Sequence, residues 1–348
     1  MSIIKAEQGM LTIRCNNEIV WIEPWGRDAL RVRACKQSQM PEEAWALENK
    51  GEFAAEIEAG PEGGYIRNGK LTAKVSRAGA LSFVNQKGEL LLEEYFRNRR
   101  DITSPKCSAL DVDAREFKPI LGGDYTLAAH FESDPGEKLY GMGQYQQPYL
   151  DLKGCELELA QRNSQASVPF LLSSKGYGFL WNNPAVGSVT FGKNVTTWRA
   201  QSTKVLDYWI TAGDTPAEIE ESYASVTGTV PMMPDYGMGF WQCKLRYQTQ
   251  DELLNIAREY KKRGLPISVI VVDFFHWPYE GEWKFDPEYW PDPDAMVREL
   301  KEMGIELMVS IWPTVDYESE NFKEMKENGY LINTERGFPV GLRCFTDT

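Results

Sequence analysis

The chain has 348 residues, of which 42% are hydrophobic and 26% are charged, and its formal net charge at pH 7 is −13. This composition is ordinary for a globular protein and excludes a disordered chain. The acidic balance argues against a nucleic acid partner, because phosphate binding requires clustered Lys and Arg. The net charge is compatible with an uncharged small molecule as the substrate.

Cysteine and histidine are too scattered to predict a metal site. The cysteines are Cys15, Cys35, Cys107, Cys155, Cys243 and Cys344, without any Cys-x-x-Cys pair, and the histidines are His130 and His276. We therefore expect no metal and no other cofactor. The start of the chain lacks the apolar stretch of a signal peptide, and no apolar run approaches the length of a membrane span, which predicts a cytoplasmic protein.

Up to about residue 230, short alternating or β-branched runs are separated by turn residues. The predicted strands include Leu11–Cys15, Glu18–Glu23, Leu30–Ala34, Lys70–Val75, Ala80–Val84, Val168–Ser173, Gly178–Asn182 and Lys204–Thr211. Asn68-Gly69 and Asn85–Gly88 predict hairpin turns, because a positive φ costs least for Asn and Gly. Many short strands with few helices predict an antiparallel β-sandwich.

Helical spacing first occurs at Thr215–Val226, with Ile219, Tyr223 and Val226 on one face, and strands and helices alternate from Tyr236 onward. The predicted order is a strand at Tyr236–Gln242, a helix from the capping box Thr249–Glu252 to Gly264, a strand at Ile267–Val272, a helix from Asp292 to Gly304, a strand at Ile305–Ile311 and a helix at Ser319–Asn328. The predicted inward residues are Leu253, Ile256, Ala257 and Tyr260 in the first of these helices and Met296, Val297, Leu300 and Met303 in the second.

This alternation predicts βα repeats around a parallel sheet, either a (β/α)₈ barrel or a doubly wound sheet. No G-x-G-x-x-G follows a strand, which disfavours the dinucleotide-binding fold. We predict two domains: an antiparallel β-sandwich over residues 1–230, and the first strands and helices of an incomplete (β/α)₈ barrel over residues 231–348. Because three strands cannot close a barrel of eight, we expect a fragment of a longer enzyme, which stops in a loop at residues 345–348.

The active site of a barrel lies at the carboxyl ends of its strands. The second strand is followed directly by Asp273-Phe274-Phe275-His276-Trp277, and the third ends at Trp312-Pro313. Such residues suit a sugar, whose ring faces stack on aromatic rings and whose hydroxyls need polar partners. We expect Asp273 to contact the substrate rather than only cap the loop. For His276, substrate contact and a role inside the loop are equally open.

Glycosidases use two carboxyl groups that flank the scissile bond. The candidates are Asp273, Glu280, Glu282 and Asp286, and nothing in their spacing identifies a pair. We expect Trp283 and Trp290 to pack the loop that contains these residues.

Read together, several motifs resemble glycoside hydrolase family 31. They are Pro24-Trp25-Gly26 with Leu30–Arg33, Leu139–Gln144, Val168-Pro169-Phe170 with Lys175–Gly178, Gly239–Gln242, Val271-Val272-Asp273, Phe285-Asp286-Pro287 with Trp290–Pro293, and Val309–Pro313. The resemblance implies a galactose-mutarotase-like β-sandwich before a catalytic barrel, and a retaining enzyme with an aspartate nucleophile and an aspartate acid/base. It also implies that Asp273 binds hydroxyls of the sugar being cleaved, and that Asn163 lies on a sandwich loop that reaches the same subsite.

The family's nucleophile follows the fourth strand of the barrel and its acid/base comes later, and neither has a matching position here. We therefore assign no catalytic residue and expect the chain to be inactive alone. Ser310–Pro313 and the aromatic loop after Asp273 resemble the α-xylosidase branch, which implies release of terminal α-xylose from an oligosaccharide or glycoside. An α-glucosidase of the same family and a non-catalytic carbohydrate-binding protein are the alternatives. The full-length enzyme could be oligomeric, and the sequence identifies no aglycone.

Overall fold

The computed structural model describes residues 2–15, 17–48, 51–99 and 102–333, and the chain divides into two compact units at the Val230–Pro231 bond. Each unit has its own buried apolar cluster. The loop predicted at residues 345–348 and the residue Cys344 lie outside the described residues.

The first unit consists almost entirely of β-strands. They are β1 (Ile3–Glu7), β2 (Met10–Cys15), β3 (Glu18–Pro24), β4 (Ala29–Cys35), β5 (Glu56–Gly60), β6 (Gly63–Asn68), β7 (Leu71–Ser76), β8 (Leu81–Asn85), β9 (Leu90–Glu93), β10 (Arg115–Pro119), β11 (Tyr125–Glu132), β12 (Leu139–Gln144), β13 (Glu156–Leu159), β14 (Ala166–Ser173), β15 (Tyr177–Trp181), β16 (Gly187–Phe191), β17 (Val195–Thr203) and β18 (Val205–Ala212).

In the described part of the chain these strands form three antiparallel sheets, in the orders β1-β2-β3-β4-β18-β15-β14-β12, β10-β11-β17-β16-β13 and β5-β6-β7-β8-β9. Side chains of all three sheets meet in one apolar cluster. Phe131 of β11, for example, packs edge-to-face on Phe179 of β15 and Tyr208 of β18, with ring centroids 5.5 and 5.7 Å apart. The predicted antiparallel sandwich is confirmed.

In the turn between β6 and β7, the two residues Asn68 and Gly69 have different roles. Gly69 adopts the positive φ of 56° that the turn requires. Asn68 instead turns its side chain inward and donates hydrogen bonds to the carbonyls of Gly26 and Ala29, at 2.9 and 2.7 Å. The hairpin prediction was right, but Asn68 connects two sheets rather than relieving strain in the turn.

Helix α1 (Pro216–Thr227) completes the first unit. Thr215 caps it by accepting a hydrogen bond from the Glu218 amide at 3.3 Å. Ile219 and Val226 are buried, and Tyr223 stacks on Phe170 with ring centroids 3.9 Å apart. This helix and its inward face are as predicted.

The second unit alternates strands and helices. Its elements are a 3₁₀ turn at Asp235–Met238, β19 (Trp241–Gln242), α2 (Gln250–Lys262), β20 (Val269–Val272), α3 (Pro293–Glu302), β21 (Glu306–Val309) and α4 (Phe322–Glu327). The three strands pair in parallel in the order β19-β20-β21. These are the opening strands and helices of a (β/α)₈ barrel, as predicted.

The first strand and the first helix of the second unit differ from the prediction. The predicted strand at Tyr236–Gln242 is mostly wrong, because the amides of Gly237 and Gly239 bond to the carbonyls of Pro234 and Tyr236 and close a turn. In α2 the buried apolar positions are Leu253, Leu254 and Ala257, whereas Ile256 is 36% exposed. The inward face therefore includes Leu254 in place of Ile256, so the predicted face was rotated by part of a turn.

We expect residues 1–230 alone to unfold cooperatively in urea, because their sheets share a core that lies within this unit.

The full chain should bind a hydrophobic dye more strongly than residues 1–230 alone, since Met232, Met238 and Leu245 are exposed. The test compares dye fluorescence of both chains at equal concentration. Met232→Ser with Met238→Ser in the full chain should lower the signal, and equal dye binding by the long and short chains would contradict the expectation.

Candidate functional site

Asp273 lies at the carboxyl end of the central strand of the second unit. Its Oδ1 accepts a hydrogen bond of 2.8 Å from the Phe274 amide, and its Oδ2 lies 4.0 Å from Sγ of Cys243, which follows β19. Among the described residues, no Lys, Arg or His nitrogen lies within 4.0 Å of this half-buried carboxylate as an ion-pair partner. Asp273 therefore keeps acceptor positions for the hydroxyls of a ligand.

Four aromatic side chains that follow β20 and β21 form one cluster, which we call the aromatic wall: Phe274, Phe275, Trp277 and Trp312. The Phe274 and Phe275 centroids are 4.7 Å apart, and Trp312 lies 5.3 and 5.4 Å from them. Trp277 lies 6.0 Å from Trp312 and is buried. The aromatic residues predicted to follow the second and third strands thus lie in contact with one another, although they belong to two separate loops.

His276 lies inside the loop rather than at its surface. Only 3% of the residue is exposed, and its ring packs against Trp277 and Phe285 at centroid distances of 4.7 and 5.0 Å. Its Nδ1 lies 3.0 Å from the carbonyl oxygen of Asp273. Because a carbonyl can only accept, Nδ1 carries the proton of the neutral ring. Burial lowers the pKa of His276. This geometry favours the structural role, and a substrate contact by His276 stays a prediction.

The loop between β20 and α3 is held in an uncommon backbone conformation. Phe275 has a φ of 62° and Trp283 a φ of 43°. Bulky residues rarely adopt such values, which cost about 1–3 kcal/mol and persist only where surrounding contacts impose them. One such contact is the 2.7 Å hydrogen bond from the Asp286 amide to the His276 carbonyl. No local sequence pattern predicts this strain, because no glycine occupies either position.

Two of the other acidic candidates, Glu282 and Asp286, bond to neighbouring groups instead of standing free. The Glu282 carboxylate accepts from the Glu320 amide at 3.2 Å and pairs with Lys284 at 3.3 Å. Asp286 accepts from the Glu288 amide at 3.0 Å. As predicted, Trp290 is buried and packs on Phe285. Trp283 is more exposed and donates its ring N–H to the Trp312 carbonyl at 2.9 Å.

Sequence reasoning missed two contributions from the first strand and its loop. Gln242 is fixed between two phenols: its Oε1 accepts from Tyr260 at 2.6 Å, and its Nε2 donates to Tyr247 at 3.1 Å. The guanidinium of Arg246 lies over the Phe275 ring, 5.6 Å from its centroid. No local sequence pattern predicts either contact, because each joins residues that are far apart in the chain or belong to different elements.

Asn163 belongs to the first unit, in the loop between β13 and β14. It lines an open cleft of about 610 Å³ together with Gln144, Tyr145, Gln146, Arg162, Ser164, Gln165 and Ala166. Amide groups can donate to and accept from sugar hydroxyls, and a guanidinium can donate to them. The part of Asn163 in substrate binding stays a prediction.

We expect acidification to loosen the loop through His276. Its pKa lies below the value of about 6.5 in an unfolded chain, so the unfolded loop binds the proton first and stability is lost as pH falls below about 6.5. Hydrogen exchange of residues 269–277, corrected for intrinsic rates, should show weaker protection at pH 5.5 than at pH 7.5. In His276→Asn, whose amide can replace Nδ1–H, the difference should shrink, whereas His130→Asn in the other unit should leave it unchanged.

In the described ranges, no helix is long and apolar enough to cross a membrane. The same residues contain no group of three or more His, Cys, Asp or Glu side chains that could hold a metal ion.

The chain matches models of two consecutive domains of one enzyme family. Residues 20–189 match the glycosyl hydrolase 31 N-terminal galactose mutarotase-like domain, and residues 230–346 match the glycosyl hydrolases family 31 TIM-barrel domain. Together these regions cover most of the chain.

Relatives with sequence or structural similarity belong to the same family. An uncharacterized family 31 glucosidase of Pseudescherichia vulneris is 54% identical over 96% of this chain and 65% of its own length. An α-xylosidase of Saccharolobus solfataricus is 37% identical over 60% of this chain and 30% of its own length. The crystal structure of a family 31 α-xylosidase from a soil metagenome, complexed with xylose, is 57% identical with a TM-score of 0.92, and the match covers 97% of this chain and 51% of that one. This chain therefore spans about two thirds or less of the length of these relatives, and it belongs to glycoside hydrolase family 31.

Proposed function

We propose that this chain forms the sugar-binding part of a retaining α-glycosidase that releases terminal α-linked xylose from oligosaccharides. The observation that carries the proposal is the Asp273 carboxylate, which has no ion-pair partner among the described residues and lies beside the aromatic wall at the carboxyl ends of β20 and β21. The carboxylate can accept from sugar hydroxyls while aromatic faces contact the apolar side of the ring. The α-xylosidases among its relatives support the same activity.

Xylose differs from glucose by a missing hydroxymethyl group, so selectivity requires a pocket without room for that group. Phe275 packs on both Phe274 and Trp312 in the aromatic wall, and we infer that the bulk of its ring occupies the space that a hydroxymethyl group needs. A difference of this size is worth about 1–3 kcal/mol in a pocket, or roughly 10- to 200-fold in kcat/KM. An α-glucosidase is the second candidate, because the Pseudescherichia vulneris relative is named a glucosidase.

Cytoplasmic action on small glycosides is part of the proposal. The described cysteines Cys15, Cys35, Cys107, Cys155 and Cys243 form no disulfide with one another. Free thiols of this kind suit a reducing compartment.

The test uses a fusion enzyme, in which residues 1–348 are joined to the part of the soil-metagenome α-xylosidase that this chain does not cover. We expect the fusion enzyme to release nitrophenol from the aryl α-xyloside with a kcat/KM at least about 10-fold above that for the aryl α-glucoside. Residues 1–348 alone should give no turnover above the blank, since the family's carboxylate pair has no match in them. A preference for the glucoside would favour the second candidate. A folded fusion that binds sugar but cleaves neither substrate would contradict the enzymatic proposal.

A further inference from the structure

Arg246 lies in the loop after β19, and its only charged or aromatic contact in the described part of the chain is Phe275. Its guanidinium carbon lies 5.6 Å from the centroid of that ring. The residue is half-buried, and no carboxylate of the described residues lies within 4.0 Å of it. Lys244, two residues earlier in the same loop, pairs instead with Glu252.

Phe275 needs an external restraint. Its backbone has a φ of 62°, which an aromatic residue does not favour, and 38% of the residue is exposed. Phe274 and Trp312 contact the ring at centroid distances of 4.7 and 5.4 Å. Those contacts are edge-on, with interplanar angles of 85° and 62°. A cation over the ring is attracted by the negative face of the π system and resists rotation of the ring.

We propose that Arg246 is a positioning residue for sugar selectivity: it holds the Phe275 ring where a hydroxymethyl group would otherwise fit. This inference rests on the proposed function, because it concerns how the same pocket distinguishes a pentose from a hexose. The arginine acts through the ring and takes no part in bond cleavage. Loss of Arg246 should therefore change the ratio of kcat/KM for xyloside over glucoside more than it changes kcat/KM for the xyloside itself.

The first test measures kcat/KM of the fusion enzyme for the aryl α-xyloside and the aryl α-glucoside. Arg246→Met keeps the apolar stem and removes the cation. We expect it to lower the xyloside-to-glucoside ratio by about 2- to 10-fold, which corresponds to about 0.4–1.4 kcal/mol at 1.36 kcal/mol per tenfold change. Arg246→Lys, which keeps a cation, should retain part of the ratio. Lys244→Met is the matched control and should leave the ratio unchanged.

The second test asks whether the effect passes through the ring. Fluorine substituents withdraw electron density and weaken cation–π attraction, so 3,4,5-trifluorophenylalanine at position 275 should lower the ratio when Arg246 is present. In Arg246→Met the same replacement should have little further effect, because the interaction is already lost. Equal effects of fluorination in both backgrounds would overturn the proposal.

These outcomes separate the inference from the proposed function. A fusion enzyme that prefers glucosides or cleaves neither sugar contradicts the proposed function and removes the inference with it. A fusion enzyme that prefers xylosides, with the same ratio in Arg246→Met, supports the function and overturns the inference. Circular dichroism and thermal midpoints of all variants identify any loss of folding.

Discussion

In the fusion enzyme, Asp273→Asn is expected to lower kcat/KM for the aryl α-xyloside by roughly 10- to 200-fold. The amide keeps the shape of the carboxylate but removes its charge, and losing the charge-assisted hydrogen bond to a sugar hydroxyl costs about 1.5–3 kcal/mol. That bond should strengthen as the ring distorts toward the oxocarbenium-like transition state, so kcat should fall along with kcat/KM. Asp273→Ala should be worse, because the hydroxyls then lose their partner.

The competing explanation is that Asp273 only caps its loop, since its Oδ1 accepts from the Phe274 amide. A capping role predicts a lower thermal midpoint with unchanged kinetics of the folded fraction. Asp286→Asn is the matched control, because Asp286 accepts from an amide two residues ahead in the same loop. We expect that variant to change stability and leave kcat/KM within about twofold. Near-wild-type kcat/KM for Asp273→Ala would show that the sugar lies elsewhere.

Sequence patterns predicted those strands and helices that short stretches of the chain determine, such as an apolar run or a capping residue. The nearly continuous apolar run Ile267–Val272 predicted the central parallel strand β20, because a strand of a parallel sheet is covered on both faces and needs no polar side. Thr249 capped α2 as predicted, by accepting from the Glu252 amide at 3.2 Å. The third predicted strand was too long: only Glu306–Val309 pairs, and Met308 there is exposed.

The candidate site was partly predictable for the same reason. Active-site residues of barrels lie at strand ends, so Asp273 and Trp312 could be selected from their position after apolar runs. What the sequence could not predict depends on tertiary contacts. The buried His276 ring packs on Phe285 at the far end of its loop, and the placement of Arg246 over Phe275 joins two loops.

The first unit contains a feature that no local pattern predicts, a buried ion pair between neighbouring strands. Arg31 of β4 donates from Nε and Nη2 to the two carboxylate oxygens of Asp207 in β18, at 3.0 and 2.6 Å. Both side chains are only 1% exposed. Asn182 donates to the same carboxylate at 2.8 Å, and the guanidinium lies 4.5 Å from the Trp25 ring centroid. The sequence identified both strands but could not show that two charges face each other inside the sheet.

Asp207→Ala in residues 1–230 is expected to lower the free energy of unfolding by about 3–5 kcal/mol, because it leaves the Arg31 charge buried without a carboxylate. Urea denaturation measures the loss, and Glu56→Ala is the control, since Glu56 pairs with Arg67 at the exposed surface, where removing a charge changes little. The double variant Arg31→Met with Asp207→Leu removes both charges and should be clearly more stable than Asp207→Ala, since apolar residues of similar size can replace a buried pair. A double variant as unstable as the single one would mean that the hydrogen bonds of Asn182 and the packing on Trp25, rather than the charge on Arg31, determine the cost.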